Sequence, residues 1–190
     1  MSDAPEYPVA GSIARRFSSR RFATDPLSDD TIETLLEAAR WAPSYGNRQP
    51  WRFIVAREAT VLDAVRETLT RGNAYAKAAP ILIALCGAPE DGQIVDGKEH
   101  YLMDGGLALE NLLLQATELG LHTHPMGGFD EVGVRAALGI PRHVRVLALT
   151  AVGLPGAFED LDERTLEREL RPRDRKPLDE VRSYDRWSWE

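Results

Sequence analysis

The sequence predicts one domain in which helices and strands are mixed. Three observations point there. Apolar residues recur at helical spacing in some segments and alternate in others; Ile81–Cys86 is a continuous apolar run of strand length; and Tyr101–Leu119 has helix length and is apolar nearly all round. No tandem repeat or clear linker divides the 190 residues, which suffice for a real core.

Taken in order, Ser28, Asp29 and Asp30 offer N-caps to a helix carrying Ile32, Leu35, Leu36 and Ala39, ended by Pro43. Trp51–Ala56 alternates and is rich in β-branched and aromatic residues, so it reads as a strand. Val61, Leu62, Val65 and Leu69 mark a second helix closed by Gly72 and Asn73. Ile81–Cys86 reads as a buried strand, followed by a polar loop from Gly87 to Gly97. In the long helix Leu102, Leu109, Leu113 and Ala116 form one face, and Leu107, Leu112, Leu114 and Leu119 spread round the rest. Such a helix is expected at the centre of the protein or in a subunit interface, with Gly120 as its C-cap. A short strand at 122–125, a helix at 131–138 and a strand at 144–152 complete the core. Residues 1–156 form that core. Residues 157–190 are charged, punctuated by proline and poor in core residues, so they read as an arm that packs on something else.

Composition narrows the function. Hydrophobic residues make up 43% and charged residues 28%, with no apolar run of membrane-spanning length. No apolar signal segment opens the chain, and a cytoplasmic protein is expected. The one cysteine, Cys86, excludes an intrachain disulfide and a thiolate zinc cluster. A net charge of −7 argues against general nucleic-acid binding. Yet four of the 23 Lys and Arg residues fall in Arg15–Arg21 and eight in Arg164–Arg186. Folding could bring the two clusters together around a small anion, although solvated terminal segments explain the same charges.

Several chemistries lack support. Gly92–Lys98 matches most of a P-loop, but Glu99 stands where a Ser or Thr would hold magnesium. No G-x-G-x-x-G fingerprint exists. His122 and His124 lack a third metal ligand, His100 and His143 stand alone, Cys86 lies in an apolar strand, and Ser44 has no nucleophile-elbow context.

Two segments stand out. In Ile13–Phe22, Arg16, Ser18 and Arg20 alternate, so an extended backbone could aim two guanidiniums and a hydroxyl at one anion. In Ala42–Trp51, Asn47 and Gln49 flank Arg48 and carry amides suited to the edge of a heteroaromatic ring, although a turn built of Pro43, Gly46 and Pro50 accounts for much of the segment.

These residues, in this order, resemble the FMN-dependent nitroreductase family. The R-x-S-x-[RK]-x-F element appears as Arg16, Ser18, Arg20 and Phe22, and A-P-S-x-x-N-x-Q-P-W as Ala42, Pro43, Ser44, Asn47, Gln49, Pro50 and Trp51. Asp104 and Gly105 open the apolar helix. Gly120, Leu121, Pro125, Gly128, Phe129 and Asp130 match G-L-x-x-x-P-x-x-G-F-D; Val152, Gly153 and Pro155 match V-G-x-P; and Arg173, Arg175 and Pro177 supply the C-terminal basic element.

The resemblance implies an α+β fold, a mixed sheet flanked by helices in an intertwined homodimer, with the C-terminal arm of each chain packed on its partner. FMN would lie at the interface. Arg16, Ser18, Arg173 and Arg175 would hold its phosphate, with Phe17 beside them, and Arg20 would lie near the ribityl chain and N1/O2. Pro43, Ser44, Asn47 and Gln49 would come from the partner. Pro125, Met126 and Gly127 would cover the ring, with the Gly128 N–H near N5, and Asn73 and Lys77 would reach the pyrimidine edge. NADH or NADPH would donate a hydride, and a nitroaromatic, quinone or similar small molecule would accept it in ping-pong order, with no nucleic acid, membrane or metal involved. No side chain is assigned as a catalytic acid, since Gly127 stands where some members have an acidic residue. The short stretch between Gly87 and Tyr101 implies an open substrate site. Alternatives of the same fold are a flavin-dependent dehydrogenase or oxidase, a flavin-processing enzyme, and a flavin-binding protein without turnover.

Overall fold

Strand β2 (Ile81–Gly87) is the spine of the structure, with all seven residues buried. The computed structural model describes residues 5 and 7–189. Its main sheet runs β1 (Trp51–Ala56), β2, β6 (Arg145–Gly153), β5 (His122–Met126). All three pairings are antiparallel. The parallel component expected of a mixed sheet is confined, among the described residues, to the single bridge Ser18–Thr123. Apart from that bridge, the sheet is antiparallel where a mixed one was expected.

Because side chains alternate across a strand, β2 serves two cores. Leu82, Ala84 and Cys86 pack with Leu62 and Val65 of α3 (Ala59–Arg66) and Val134 of α5 (Glu131–Leu138). Ile81, Ile83 and Leu85 pack with Ile32, Leu35 and Ala39 of α2 (Asp29–Arg40) and with Ala108, Leu112, Leu113 and Ala116 of α4 (His100–Glu118). A sheet covered on both faces has little use for polar side chains, which explains the uninterrupted apolar run. The α+β class is therefore realised as helix, sheet and helix layers.

Local chemistry sets the ends of these elements. Ser28, Asp130 and Asp162 accept backbone N–H groups at the starts of α2, α5 and α6 (Glu163–Glu169). The long helix ends at Leu119, with Gly120 left-handed behind it at φ 72°. The P-loop-like stretch is a hairpin: β3 (Ile94–Val95) pairs with β4 (Lys98–Glu99) across Asp96 and Gly97, both left-handed. The second helix stops at Arg66, and a 3-10 stretch from Arg71 to Ala78 leads into β2. Helix α6, inside the arm, was not legible as a helix because its composition is almost wholly charged.

The sheet order leaves β5 at one edge, and that edge is where the N-terminal segment docks. Past α1 (Gly11–Arg15), the Ser19 N–H donates to the Thr123 carbonyl at 3.0 Å. Farther along, Ala23 N–H donates to Leu154 O at 2.9 Å, and a Cβ on Gly156 would lie 2.7 Å from the Phe22 backbone, so glycine is required there.

Leu82 is fully buried between β1, β6 and the α3–α5 layer. Truncation to alanine leaves a cavity that close-packed neighbours cannot fill. Leu82→Ala is expected to destabilise the protein by about 2–5 kcal/mol, read as a lower urea midpoint with an unchanged slope.

Candidate functional site

The site begins at the outer edge of β5, where residues 16–21 run in extended form. The single bridge at Ser18 fixes the alternation, so Arg16, Ser18 and Arg20 fall on one side of the segment and Ser19 and Arg21 on the other. Ser19 is fully buried, whereas Arg16, Phe17, Ser18 and Arg20 are half-buried. Phe17 meets the His122 ring edge-on at 5.2 Å.

The arm returns to this same segment. The Arg173 guanidinium donates to the carbonyls of Ala14 and Arg16, and Arg20 Nη1 donates to the Arg168 carbonyl at 3.2 Å. Contacts between the arm and the core are thus made within one chain as far as Arg173. The two basic clusters expected to converge do converge. Burial lowers the Arg16 pKa; Glu110 at 3.9 Å opposes this, and Arg173 and Arg175 lower it further. Burial likewise lowers the Arg20 pKa, with Arg168 adding to the effect and Tyr75 and Glu169 opposing it. The Ser18 hydroxyl stands 3.5 Å from Arg16 Nη1. Arg20 Nε is buried without a hydrogen-bond partner among the described residues.

This donor set suits a phosphate. Guanidiniums that repel one another gain about 4 kcal/mol per close pair with an anion at 4 Å and an effective dielectric near 20, before desolvation. FMN, the cofactor implied by the sequence, carries its phosphate as a dianion, and Arg16, Ser18, Arg173 and Arg175 are the residues that would hold it.

Sequence reasoning missed the residue at the centre of this cluster. Glu169, at the end of α6 and 3% exposed in its side chain, accepts the Ser19 Oγ–H at 2.6 Å and the Arg20 N–H at 2.7 Å. His122 Nδ1 lies 2.8 Å from Ser19 Oγ and 3.1 Å from the Arg21 carbonyl. The carbonyl can only accept, so Nδ1 carries the proton and the imidazole gives a hydrogen bond to Ser19 instead of taking its proton. Ser, His and Glu therefore meet here as a structural group, and Ser19 is too buried to act as a nucleophile. No local signal in a charged arm singles out one glutamate.

A second group surrounds Gly128. Its carbonyl accepts from Thr70 N–H at 3.2 Å, Thr70 Oγ1 at 3.0 Å and Asn73 Nδ2 at 2.9 Å. Tyr75 Oη donates to Asn73 Oδ1 at 3.2 Å, and its ring lies 5.7 Å from the Arg20 guanidinium. Burial pushes the Tyr75 pKa up to about 12, so it stays a donor. With its carbonyl held from three directions, the Gly128–Phe129 peptide has a fixed orientation. A Cβ on Gly128 would stand 2.9 Å from both Asn73 Nδ2 and Thr70 Oγ1. Met126 is buried in the core and Pro125 half-buried on the edge strand, where a residue without an N–H is tolerated. Lys77 is engaged by Glu67 at 2.7 Å.

The loop carrying Pro43, Ser44, Asn47 and Gln49 is separate from these groups. Its polar contacts run within itself and to its own neighbours. Ser44 Oγ accepts the Gln49 N–H at 2.9 Å, Gln49 Nε2 donates to Asn47 Oδ1 at 3.1 Å, and Tyr45 N–H donates to the buried Asp104 carboxylate at 3.2 Å. Asn47 and Gln49 both have positive φ, at 54° and 51°. Two non-glycine residues in the left-handed region cost energy, and such strain concentrates at binding loops. Cys86 is buried, with its thiol pushed up to about 11 by burial. Among the described residues no cluster of His, Cys, Asp or Glu could hold a metal, and no helix is long and apolar enough to cross a membrane.

Comparison with known proteins places this geometry in context. The model of the Nitroreductase family matches residues 13–154. A protein of Thermus thermophilus named NADH dehydrogenase is 30% identical over 182 residues, covering 80% of this chain and 88% of that one. A solved oxidoreductase containing FMN has 34% identity and a TM-score of 0.87, covering 98% of this chain and 96% of its own. A nitroreductase family protein from Clostridium novyi NT has 31% identity and a TM-score of 0.72, covering 80% and 87%.

His124 gives the site region a pH dependence. Its Nδ1 meets the Ser19 carbonyl at 2.9 Å and its ring packs 4.9 Å from Tyr75. Burial holds its pKa down to about 4, from a usual 6.5; the Ser19 carbonyl opposes the shift, and Arg20 reinforces it. The unfolded chain therefore binds a proton at this position before the folded one does. Stability from His124 is full above about pH 6.5 and falls as the pH drops towards 4, by about 3 kcal/mol. Urea unfolding at pH 7, 5 and 4 is expected to show that loss in the wild type, and a smaller loss in His124→Gln.

Proposed function

The chain belongs to the nitroreductase family and is an FMN-dependent oxidoreductase; we propose that it takes electrons from NADH or NADPH and passes them to nitroaromatics, quinones or similar electron-poor small molecules. Bound FMN would supply the redox chemistry, exchanging a hydride at N5 with donor and acceptor in ping-pong order. The observation that carries the reading is the convergence of Arg16, Arg173 and Arg175 beside Ser18, a phosphate-binding set assembled from opposite ends of the chain. The protein's part is to bind, orient and polarise. Arg20, half-buried and held by the Arg168 carbonyl, would place positive charge beside the ring. The Gly128 N–H, on the peptide preceding the anchored Gly128 carbonyl, would lie near N5.

The assembly we propose is a homodimer. In α4, Leu102, Met103 and Leu107 are 48%, 55% and 41% exposed in the single chain, so this helix has an unburied apolar face. A second copy covering that face would bring its strained 42–50 loop, with Pro43, Ser44, Asn47 and Gln49, towards the first copy's arginines. Exchange of arms would fall to residues beyond Lys176, where Val181, Tyr184 and Trp187 stand exposed. The names of relatives that mention NADH support the choice of donor.

The purified protein is expected to show flavin absorbance that bleaches with NADH or NADPH and returns on adding a nitroaromatic. A protein that takes up no added FMN would overturn the proposal. Arg16→Glu is expected to lower FMN affinity by more than tenfold while the protein still elutes as a dimer. Retained flavin in that variant would refute the phosphate assignment.

A further inference from the structure

A carboxylate buried among the arginines of an anion site works against that site's charge, so its presence calls for a geometric reason. Glu169 is such a group. Its two oxygens take two different donors from the N-terminal segment, the Ser19 hydroxyl at 2.6 Å and the Arg20 N–H at 2.7 Å, and Arg21 Nε lies 3.6 Å from it. These contacts fall one residue after Ser18 on one strand of the site and four residues before Arg173 on the other. The carboxylate can only accept, so the Ser19 hydroxyl proton goes to Glu169, while Ser19 Oγ itself accepts from the Arg21 N–H at 3.2 Å.

We infer that Glu169 is a positioning residue that sets the register between the two halves of the phosphate site, Arg16–Ser18 and Arg173–Arg175. The inference rests on the FMN reading above. Glu169 does not touch the phosphate; it brings the arm to the one place where both halves meet it. Glutamine keeps only one of the two acceptor oxygens, so it cannot take both the Ser19 hydroxyl proton and the Arg20 N–H.

The sign of the effect separates position from charge. Removing a negative charge near a bound dianion would by Coulomb's law tighten FMN binding. Loss of register would weaken it, and more for ligands that carry the phosphate than for those that meet only Arg20. Flavin-free wild type and Glu169→Gln are titrated with FMN and with riboflavin, following flavin fluorescence, with thermal melting as the check on folding. The wild type is expected to prefer FMN. In Glu169→Gln the FMN Kd is expected to rise at least tenfold, with a several-fold smaller rise for riboflavin, so that the preference for FMN falls.

An unchanged or tighter FMN Kd in Glu169→Gln would overturn the positioning role and leave the phosphate site standing. A wild type that binds riboflavin as tightly as FMN would overturn the phosphate site itself. If Glu169→Gln fails to fold, Ser19→Ala removes one of the two bonds of the bridge and keeps the charge. It is expected to shift the FMN-to-riboflavin preference in the same direction by about threefold, and an unchanged preference there would refute the inference.

Discussion

Gathering guanidiniums into one half-buried patch is the constraint on which the rest of the site depends. Two like charges about 7 Å apart at an effective dielectric of 20 repel by about 2 kcal/mol, and several such pairs meet around Arg16 and Arg20. The fold meets this repulsion with specific restraints. Glu169 ties the segment after Ser18 to the end of α6, Arg173 donates to the carbonyls of Ala14 and Arg16 with further N–H groups in reserve, and Arg20 reaches the Arg168 carbonyl. Each restraint uses backbone or carboxylate acceptors beside the patch, so the arginines are fixed without being neutralised. A site arranged this way is ready for an anion before the anion arrives, which lowers the ordering cost of binding.

The sheet supplies the rigid ground for these contacts. Because β2 and β6 are buried centrally, β5 is left at an edge with free hydrogen-bonding groups, and the extended segment at Ser18–Ser19 takes them. One docking event thereby covers an edge that would otherwise invite aggregation and sets the alternation that aims Arg16, Ser18 and Arg20 to one side. From the end of the same strand the chain passes into Gly127–Gly128, where three donors hold one carbonyl. The Arg16–Arg20 segment and the Gly128 backbone are thus placed by a single edge strand.

The loop at 42–50 shows the opposite strategy. It is held by Asp104 and by its own side chains in a conformation that two non-glycine residues strain to adopt. Its amides do not meet the arginine cluster among the described residues. Leu102, Met103 and Leu107 of α4 form a separate exposed apolar patch, which is costly to leave in water.

Most of the scaffold was legible in the chain because periodicity and end signals are local. The boundaries of β1 and α5, the apolar spine at Ile81–Cys86 and the stop at Gly120 follow from neighbouring residues alone. The arginines were legible too, as types in a pattern. Three features needed the folded chain. Helix α6 lacks an apolar stripe, so its helicity depends on the Asp162 cap and on docking. The antiparallel sense of the sheet is set by how the helices pack on its two faces. Glu169 looks like any other acid in a run of charges until folding brings it within hydrogen-bonding distance of a serine 150 residues away. Local sequence records what each segment prefers, but a buried charge acquires its role only from the partners that tertiary structure brings to it.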